Sequence, residues 1–394
     1  MTREFIDFVN AHKDEDTARL LLSATRYPDI DIPAAVQQIE GLRAAREKWP
    51  SLLQYEEFLY PPRLNREQAS SETTAQYKAQ LIAAIAQQPT IADLTGGMGV
   101  DSMAFASVAA RVDYVERDPQ LCSLMEHNCR VTGLQNVGVS CADSLEWLAK
   151  SQQKVDILFV DPARRSASGR KVSAFEDCEP DILQHLPLLR SLSGLLLVKA
   201  SPMIDIDLAC RQLGHVSDVH VVAVRGECKE VLFLCRAEAD SHRIHCVNLK
   251  GDNAVRDFAF SREEELSALP SFCTSTGRYL YEPDAALMKC GPYNLICQWF
   301  GLEKLGRNTH LYTADRLVAD FPGRVFEVLS GLKAGRKDIA AAVSEGKAHV
   351  VTRNYPVAAA DLQRQLGLKE GGDLFVLATT LGSSRKLFLC RQVG

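Results

Sequence analysis

The sequence lacks the cysteine and histidine spacings that mark metal sites and disulfide frameworks. Its twelve cysteines are scattered over 394 residues and none forms a C-x-x-C pair, while its nine histidines show no metal-ligand spacing. Cys235 and Cys390 lie inside apolar, strand-like runs. This pattern is typical of reduced, buried thiols in a cytoplasmic protein. We therefore expect a cytoplasmic protein with neither structural disulfides nor a bound metal.

Long apolar runs, internal repeats and a strong net charge are also absent. No run is long enough to span a bilayer and no secretory signal pattern is present, so we expect no membrane association. The formal net charge of −5 favours neither nucleic acid nor membrane as a partner. The composition, with 46% hydrophobic and 24% charged residues, predicts a globular protein of roughly two to four domains.

The charge is unevenly distributed along the chain. Residues 301–394 contain 14 Lys and Arg against 9 Asp and Glu, which leaves 31 against 41 for residues 1–300. The C-terminal part is therefore at +5 and the rest at −10. A basic module beside an acidic body is compatible with an anionic polymer as substrate, and an unevenly charged solvated surface explains the same count.

The most informative stretch of the chain is residues 90–119. It reads as a strand ending at Asp93, a turn of sequence LTGGMG, an apolar helix, and a second strand that ends on Glu116. Glycine makes such a turn sterically easy and lets the backbone approach a ligand closely. An acid at the end of the second strand suits two ribose hydroxyls.

The acid in front of this turn distinguishes it from a dinucleotide site. The spacing is D-x-x-x-G-x-G, formed by Asp93, Gly97 and Gly99. A pyrophosphate needs free backbone amides and a helix N-terminus, and a carboxylate at the turn repels it. A cationic, amino-bearing ligand such as S-adenosylmethionine (SAM) suits the pattern better. A structural turn and a dinucleotide site are the alternatives.

Alternating helical and apolar strand patterns continue after Glu116 and predict an α/β, Rossmann-like sheet. A helix is expected over residues 119–132, and the expected strands after the first two are residues 137–141, 155–160, 194–199, 219–224 and 230–235. The last of these follows its predecessor too closely for a helical crossover, so it must run antiparallel. We therefore predict a seven-stranded sheet with one reversed strand, which is typical of SAM methyltransferases.

Six motifs resemble those of class I SAM-dependent methyltransferases that have a C-terminal THUMP-like domain. They read DLTGGMGVDS (93–102), VERDP (115–119), VDPARR (160–165), RGECKE (225–230), YEPDAALMK (281–289) and TRNYP (352–356). The last three are the more particular to this family. The resemblance implies SAM as cofactor, and RNA as a partner because THUMP domains proper bind RNA.

The first two motifs are also similar to those of a ribosomal-RNA guanine-N2 methyltransferase family. The matching positions are Asp93, Thr95, Gly97, Gly99, Asp101 and Glu116. That family continues its fourth strand with D-P-M-x-P, whereas Pro162 is followed here by Ala163 and Arg164. The cofactor prediction is unaffected by this departure, and the methyl acceptor stays open.

These comparisons assign expected roles to the acids at the strand ends. Asp93 and the glycine turn, with Thr95 and Asp101, are expected to position the amino-acid end of SAM. Glu116 is expected to bind the ribose hydroxyls, and Asp143 to accept a hydrogen bond from the adenine amine. Asp161 follows the fourth strand, near the expected position of the methyl group.

The predicted catalytic residues are Asp161, Pro162 and Arg164. If the acceptor is an exocyclic amine, Asp161 and the next backbone carbonyls can accept hydrogen bonds from its N–H groups. This role suits Asp161 better than that of a general base, because an exposed carboxylate has a pKa near 4. Arg164 and Arg165 are expected to hold phosphate or carboxylate, or to pair with nearby acids. Cys228 lies between Glu227 and Lys229, and we do not expect it to act as a nucleophile.

We predict four segments and one function. The segments are an N-terminal helical region (1–75), a SAM-dependent methyltransferase domain (76–240), a small ferredoxin-like α+β domain (241–320) and a THUMP-like α+β domain (321–394). The helical region is expected to be a cap, a docking surface or a cover for the sheet edge. The predicted function is methylation of a nucleic-acid base, with an exocyclic amine in RNA favoured. The alternatives are a protein or small-molecule methyltransferase and a non-catalytic SAM- or RNA-binding protein.

Overall fold

A computed structural model of the chain describes residues 2–151, 154–164, 175, 178–249 and 255–393. The chain divides into two compact units. The first unit contains Met1–Val219 and Val231–Ser241, and the second contains His220–Glu230 and His242–Gly394. We call them the N-terminal unit and the C-terminal unit.

The N-terminal unit begins with the predicted helical region. Its helices before the first strand are α1 (Arg3–His12), α2 (Thr17–Leu22), α3 (Ile32–Lys48), α4 (Arg63–Gln68) and α5 (Glu72–Ile85). Ser71 caps α5 by accepting a hydrogen bond from the backbone N–H of Thr74 at 3.2 Å, as its place before the helix predicts.

These helices support the glycine-rich turn. Trp49 and Tyr60 belong to the same buried hydrophobic cluster as Met98 of the turn and Val100, the first residue of the helix after it. The indole N–H of Trp49 donates to the carbonyl oxygen of Ser70 at 2.7 Å. The helical region is therefore part of the core that holds the turn in place.

Alternating strands and helices follow, as the sequence predicts. The elements are β1 (Thr90–Asp93), α6 (Val100–Ala106), β2 (Arg111–Glu116), α7 (Pro119–Thr132), β3 (Val137–Cys141), α8 (Ser144–Ser151), β4 (Val155–Val160), β5 (Ala163–Arg164), β6 (Cys178–Glu179), α9 (Ile182–Ser191), β7 (Ser193–Ala200), α10 (Ile206–Leu213), β8 (Val216–Val224) and β9 (Glu227–Cys235). Strand β1 pairs in parallel with β2 and β4, and the parallel pairing continues to β3 on one side and β7 on the other.

The predicted reversed strand is confirmed. Strand β9 pairs antiparallel with β7 and lies between β7 and β8 in the sheet. This order places the carboxyl ends of β1, β2 and β4 at one edge of the sheet, where α/β proteins bind their ligands.

The predicted strand number is wrong, because the sheet has nine strands. Their order is β11-β10-β8-β9-β7-β4-β1-β2-β3, where β10 is Arg243–Leu249 and β11 is Val255–Phe260. Strands β10 and β11 form an antiparallel pair that extends the sheet beyond β8. Without this pair, β8 would be an edge strand with a row of unpaired backbone groups. The sequence assigned these residues to the following lobe, because a short apolar run does not show which strand it joins.

The C-terminal unit contains a second sheet, built from both of the predicted small lobes. Its further elements are α11 (Arg262–Ser267), β12 (Tyr279–Pro283), α12 (Ala285–Cys290), α13 (Leu295–Phe300), β13 (Glu303–Gly306), β14 (Thr309–Ala314), β15 (Gly323–Leu332), α14 (Arg336–Ala342), β16 (His349–Arg353), α15 (Ala359–Leu366), β17 (Leu374–Leu381) and β18 (Ser384–Gln392). The strand order is β13-β14-β12-β15-β18-β17-β16.

One core cluster explains how the last helices pack. Ile339 of α14 and Leu362 and Leu366 of α15 contact Val376 and Leu389 of the sheet. The result is the C-terminal α+β lobe that the sequence predicts. In the part of the chain that the structure describes, no helix has the length and apolar character needed to cross a membrane.

Candidate active site

The turn between β1 and α6 requires glycine at several positions. Gly97 and Gly99 have positive φ angles of 55° and 82°. A Cβ atom on Gly99 would lie 2.4 Å from the sulfur of Met125, and one on Gly96 would lie 2.3 Å from the ring of Tyr114. The hydroxyl of Tyr114 donates to the carbonyl oxygen of Gly97 at 2.7 Å. The backbone is therefore fixed, with no side chain on the glycines to keep a ligand away.

Asp93 at the end of β1 stabilises this turn through hydrogen bonds. Asp93 is 1% exposed, and its carboxyl group accepts hydrogen bonds from the Thr95 backbone N–H at 3.1 Å and from the Ser102 hydroxyl at 2.6 Å. Burial raises the pKa of Asp93 to about 7. These contacts tie β1 to the turn and to α6. A contact between Asp93 and the amino-acid end of SAM stays a prediction.

Glu116 at the end of β2 is fixed by three backbone groups. Its Oε2 accepts from the Gly97 N–H at 2.9 Å, and its Oε1 accepts from the N–H groups of Arg117 and Asp118 at 2.8 and 2.9 Å. A carboxylate has about four acceptor positions, so one remains on Oε2. One remaining acceptor position allows Glu116 to bind one ribose hydroxyl directly, whereas the sequence suggested that it binds two ribose hydroxyls.

Asp161 after β4 is joined to the turn and to a residue that the sequence did not single out. Its backbone N–H donates to the Thr95 hydroxyl at 2.8 Å, and its carboxylate forms an ion pair with Lys199 of β7. Lys199 follows an apolar run near the carboxyl end of its strand, which was the available signal. The pair fixes Asp161 at the edge of the sheet, beside the turn.

A buried ion pair holds the first turn of α6, and the sequence did not predict it. Lys78 of α5 is fully buried, and its ammonium lies 3.1 Å from Oδ1 of Asp101. The Ser70 hydroxyl donates to Oδ2 of Asp101 at 2.7 Å. The available signal was a lysine on the face of α5 that also carries Ala75 and Ile82, which are buried. The residues before α5 are thus connected to the turn.

The remaining predicted residues are less closely connected to this group. Asp143 is exposed and caps α8 by accepting from the Leu145 and Glu146 backbone N–H groups at 2.9 and 3.2 Å. Pro162 is half-buried after β4. Arg164 lies on β5, while its side chain and the whole of Arg165 fall outside the described residues.

The chemistry of Cys228 agrees with the expectation that it does not act as a nucleophile. Burial is the main cause that raises the pKa of the Cys228 thiol, to about 11. The thiolate, which is the nucleophilic form, is therefore a minor species at neutral pH.

The Lys78 pair gives a stability prediction. Replacing Lys78 with methionine leaves the carboxylate of Asp101 buried without its counter-charge, and we expect a loss of about 3–5 kcal/mol in the free energy of unfolding. Urea denaturation measures it. The double variant Lys78→Met/Asp101→Asn is expected to recover part of the loss, and a double variant no more stable than Lys78→Met would contradict the pairing.

Asp93 gives a prediction about pH. Its pKa is about 7 in the folded protein and near 3.9 in the unfolded chain, so the folded state binds more protons between these values. The contribution of Asp93 to stability therefore falls as pH rises from 4 to 7, by up to about 4 kcal/mol. The neutral variant Asp93→Asn lacks this slope. Urea unfolding of both proteins across this range should show the variant gaining relative to the wild type, and parallel curves would refute the raised pKa.

Together, the fold and the site define a class of protein. A parallel sheet with one reversed strand and a glycine turn that allows close approach of a ligand are typical of SAM-dependent methyltransferases, and the acids at the ends of β1, β2 and β4 lie at the edge of the sheet where the cofactor is expected to bind. The residues fit the cofactor, because Glu116 retains an acceptor position for a ribose hydroxyl and the turn is open to a ligand.

Family models and relatives agree with this class. Residues 62–186 match a SAM-dependent methyltransferase model, residues 279–322 a ferredoxin-like domain, and residues 323–392 a THUMP-like domain. The crystal structure of a Porphyromonas gingivalis W83 protein described as a methyltransferase is similar to this chain. The two sequences are 30% identical, the TM-score is 0.86, and the match covers 99% of this chain and 98% of that one.

Two curated relatives extend the comparison. An uncharacterized SAM-dependent methyltransferase of Mycobacterium tuberculosis is 25% identical over 323 residues, 80% of this chain and 83% of that protein. The ribosomal RNA small subunit methyltransferase J of Laribacter hongkongensis is 28% identical over 133 residues, 29% of this chain and 47% of that protein. The chain belongs to the family of SAM-dependent methyltransferases with a C-terminal THUMP-like domain.

Proposed function

We propose that the protein methylates an exocyclic amine of a base in RNA. The observation that carries the proposal is the placement of Asp161, held beside the glycine turn by Thr95 and Lys199. The similarity to a ribosomal RNA methyltransferase supports RNA as the acceptor. The THUMP-like domain and the excess of positive charge in residues 301–394 support an anionic polymer as the partner.

The chemistry needs little from the protein except position. SAM supplies a methyl group on a sulfonium that already carries the driving positive charge. Holding donor and acceptor in line can lower the barrier by about 7–11 kcal/mol. An amine nitrogen becomes positive as it gains the methyl group, and Asp161 would accept a hydrogen bond from its N–H and stabilise that charge. Lys199 acts as a positioning residue, because its ion pair fixes the carboxylate of Asp161.

The residues after Asp161 would set the choice of acceptor. Pro162 is followed by Ala163 and Arg164, where the guanine-N2 family has a different continuation. In this proposal Pro162 shapes the wall of the acceptor pocket and Arg164 holds a phosphate of the RNA.

The residues proposed to bind the cofactor are Asp93, Thr95, Gly97, Gly99, Asp101, Glu116, Asp143 and Asp161.

Labelled-methyl transfer tests the acceptor class directly. The full chain is incubated with SAM carrying a labelled methyl group and with fractionated cell extract, with and without nuclease. We expect label in the RNA fraction, its loss after nuclease treatment, and incorporation slowed about 100-fold or more with Asp161→Ala. Label that survives nuclease and disappears with protease, or that is found in small molecules, would instead establish one of the alternative acceptors.

RNA binding should depend steeply on salt. Each phosphate that the protein neutralises releases counterions, so the logarithm of the affinity falls linearly with the logarithm of salt concentration, by roughly 0.7 per contact for single strands. Filter binding of RNA between low and physiological salt measures the slope. Retention that is absent at low salt, or independent of salt, would contradict phosphate recognition.

A further inference from the structure

A pocket of about 420 Å³ lies within the C-terminal unit. None of its lining residues belongs to the SAM site. It unites three motifs that the SAM site leaves unused, through Gly226 of RGECKE, Glu282, Asp284 and Met288 of YEPDAALMK, and Arg353 of TRNYP. Its volume is within the range of pockets that hold small ligands.

A buried carboxylate organises two arginines in this pocket. Glu282 is 5% exposed, and its Oε2 accepts from Nε of Arg324 at 2.6 Å while its Oε1 pairs with Arg353. The two arginine side chains are 41% and 42% exposed. Each guanidinium has five N–H donors in a rigid fork, and Glu282 occupies only part of each fork. The pair is thus pre-oriented, with further donors available to a ligand.

The charge of the pocket favours an anion. Three arginines line it, Arg256, Arg324 and Arg353, against two acids, Glu282 and Asp284. Both oxygens of Asp284 are engaged, by the Leu287 backbone N–H at 2.9 Å and by the Asn248 amide at 2.7 Å. The partner of Arg256 is the exposed Asp320, and exposed pairs are weak. The lining residues therefore leave one positive charge for a ligand.

Part of the pocket wall is apolar and rigid. Phe321 is buried and meets the rings of Tyr281 and Phe300 edge-on, with centroids 5.1 and 5.2 Å apart. Met288 and Pro283 complete this wall. A ligand that joins a phosphate to a flat ring system would match both the arginines and the wall, since guanidinium forks pair with phosphate oxygens in a bidentate manner.

We propose that this pocket binds a nucleotide, with its phosphate held by Arg324, Arg353 and Arg256 and its base beside Phe321. A free mononucleotide and a nucleotide within an RNA strand present the same chemistry. The assignment depends on the pocket alone and holds whether or not RNA is the methyl acceptor.

Calorimetry with the full chain tests the site. The probes are GMP and AMP, guanosine as a ligand without phosphate, and a short single-stranded RNA with and without a 5′-phosphate. Arg353→Lys keeps the charge and loses the fork, and Arg256→Ala removes a guanidinium whose partner is exposed. Arg385→Ala is the control, because Arg385 is exposed on β18 and does not line the pocket. SAM affinity and thermal unfolding, measured in parallel, report whether each variant is folded.

We expect GMP, AMP or the RNA to bind, and each pocket variant to weaken binding about tenfold or more, as the loss of one charge-assisted hydrogen bond predicts. Arg385→Ala should bind like the wild type. Binding of mononucleotides identifies a free ligand, whereas binding of RNA alone identifies a strand. No binding by any probe, equal binding by guanosine and GMP, or full affinity in folded pocket variants would overturn the assignment. SAM binding and methyl transfer are measured separately, so neither result decides the other.

Discussion

Replacing Glu116 with alanine is expected to weaken SAM binding by 10- to 100-fold. The variant loses the free acceptor position on Oε2, and a hydrogen bond to a charged group contributes about 1.5–3 kcal/mol. It also loses the bond that holds the Gly97 N–H at 2.9 Å, so the turn itself becomes less well ordered. Isothermal titration calorimetry of SAM with both proteins measures the effect.

The control for this experiment is Glu126→Ala, because Glu126 is an exposed acid on α7 of the same unit. We expect it to bind SAM like the wild type. Glu116→Gln keeps one acceptor oxygen without the charge and should give an intermediate affinity. Equal affinity in Glu116→Ala and the wild type would exclude a role for this carboxylate in ribose recognition.

Replacing Asp161 with alanine is expected to lower kcat about 100-fold or more while SAM affinity changes only a few fold. An interaction that exists chiefly in the transition state affects kcat, and about 2.7 kcal/mol corresponds to a factor of 100. Asp161 is expected to make such an interaction, because a hydrogen bond from the acceptor amine strengthens as the nitrogen becomes positive. Initial rates of methyl transfer at saturating SAM measure kcat.

Two further variants separate position from charge. Asp161→Asn keeps an acceptor oxygen and loses the ion pair with Lys199, so we expect an intermediate rate. Glu146→Ala removes an exposed acid on α8 and should leave the rate unchanged. A variant Asp161→Ala that keeps the wild-type kcat, or that loses SAM affinity in proportion to its rate, would contradict a role in the transfer step.

Local pattern was sufficient for several elements of the N-terminal unit. The helix over residues 119–132 and the strands over residues 137–141 and 155–160 have the bounds that the sequence predicts. Each is set by short-range causes, namely a capping aspartate with proline at the helix start, glycine at the helix end, and for the strand over residues 155–160 an apolar run broken only by Asp156. The cofactor prediction was equally local, because it depends on the spacing within residues 93–116.

Contacts between residues that are distant in the sequence could not be predicted from such local patterns. The local signals at Lys78 and Lys199 are weak, since a lysine on a helix or strand usually faces solvent. Their function appears only when Asp101 and Asp161 are placed beside them. Strands β10 and β11 were not assigned to the large sheet for the same reason, because pairing is decided by which edge is available and not by the strand's own residues.

The sequence by itself determined the cofactor and the reversed strand of the sheet, because glycine turns, strand-end acids and a short antiparallel return act within a few residues of one another. The tertiary structure alone decided how those acids are used: Asp93 is buried beneath the turn, Glu116 keeps one acceptor position, and Asp161 is fixed by Lys199. It also brought RGECKE, YEPDAALMK and TRNYP to one pocket. Burial, hydrogen-bond partners and the meeting of distant motifs are properties of a folded chain, and no spacing within a sequence specifies them.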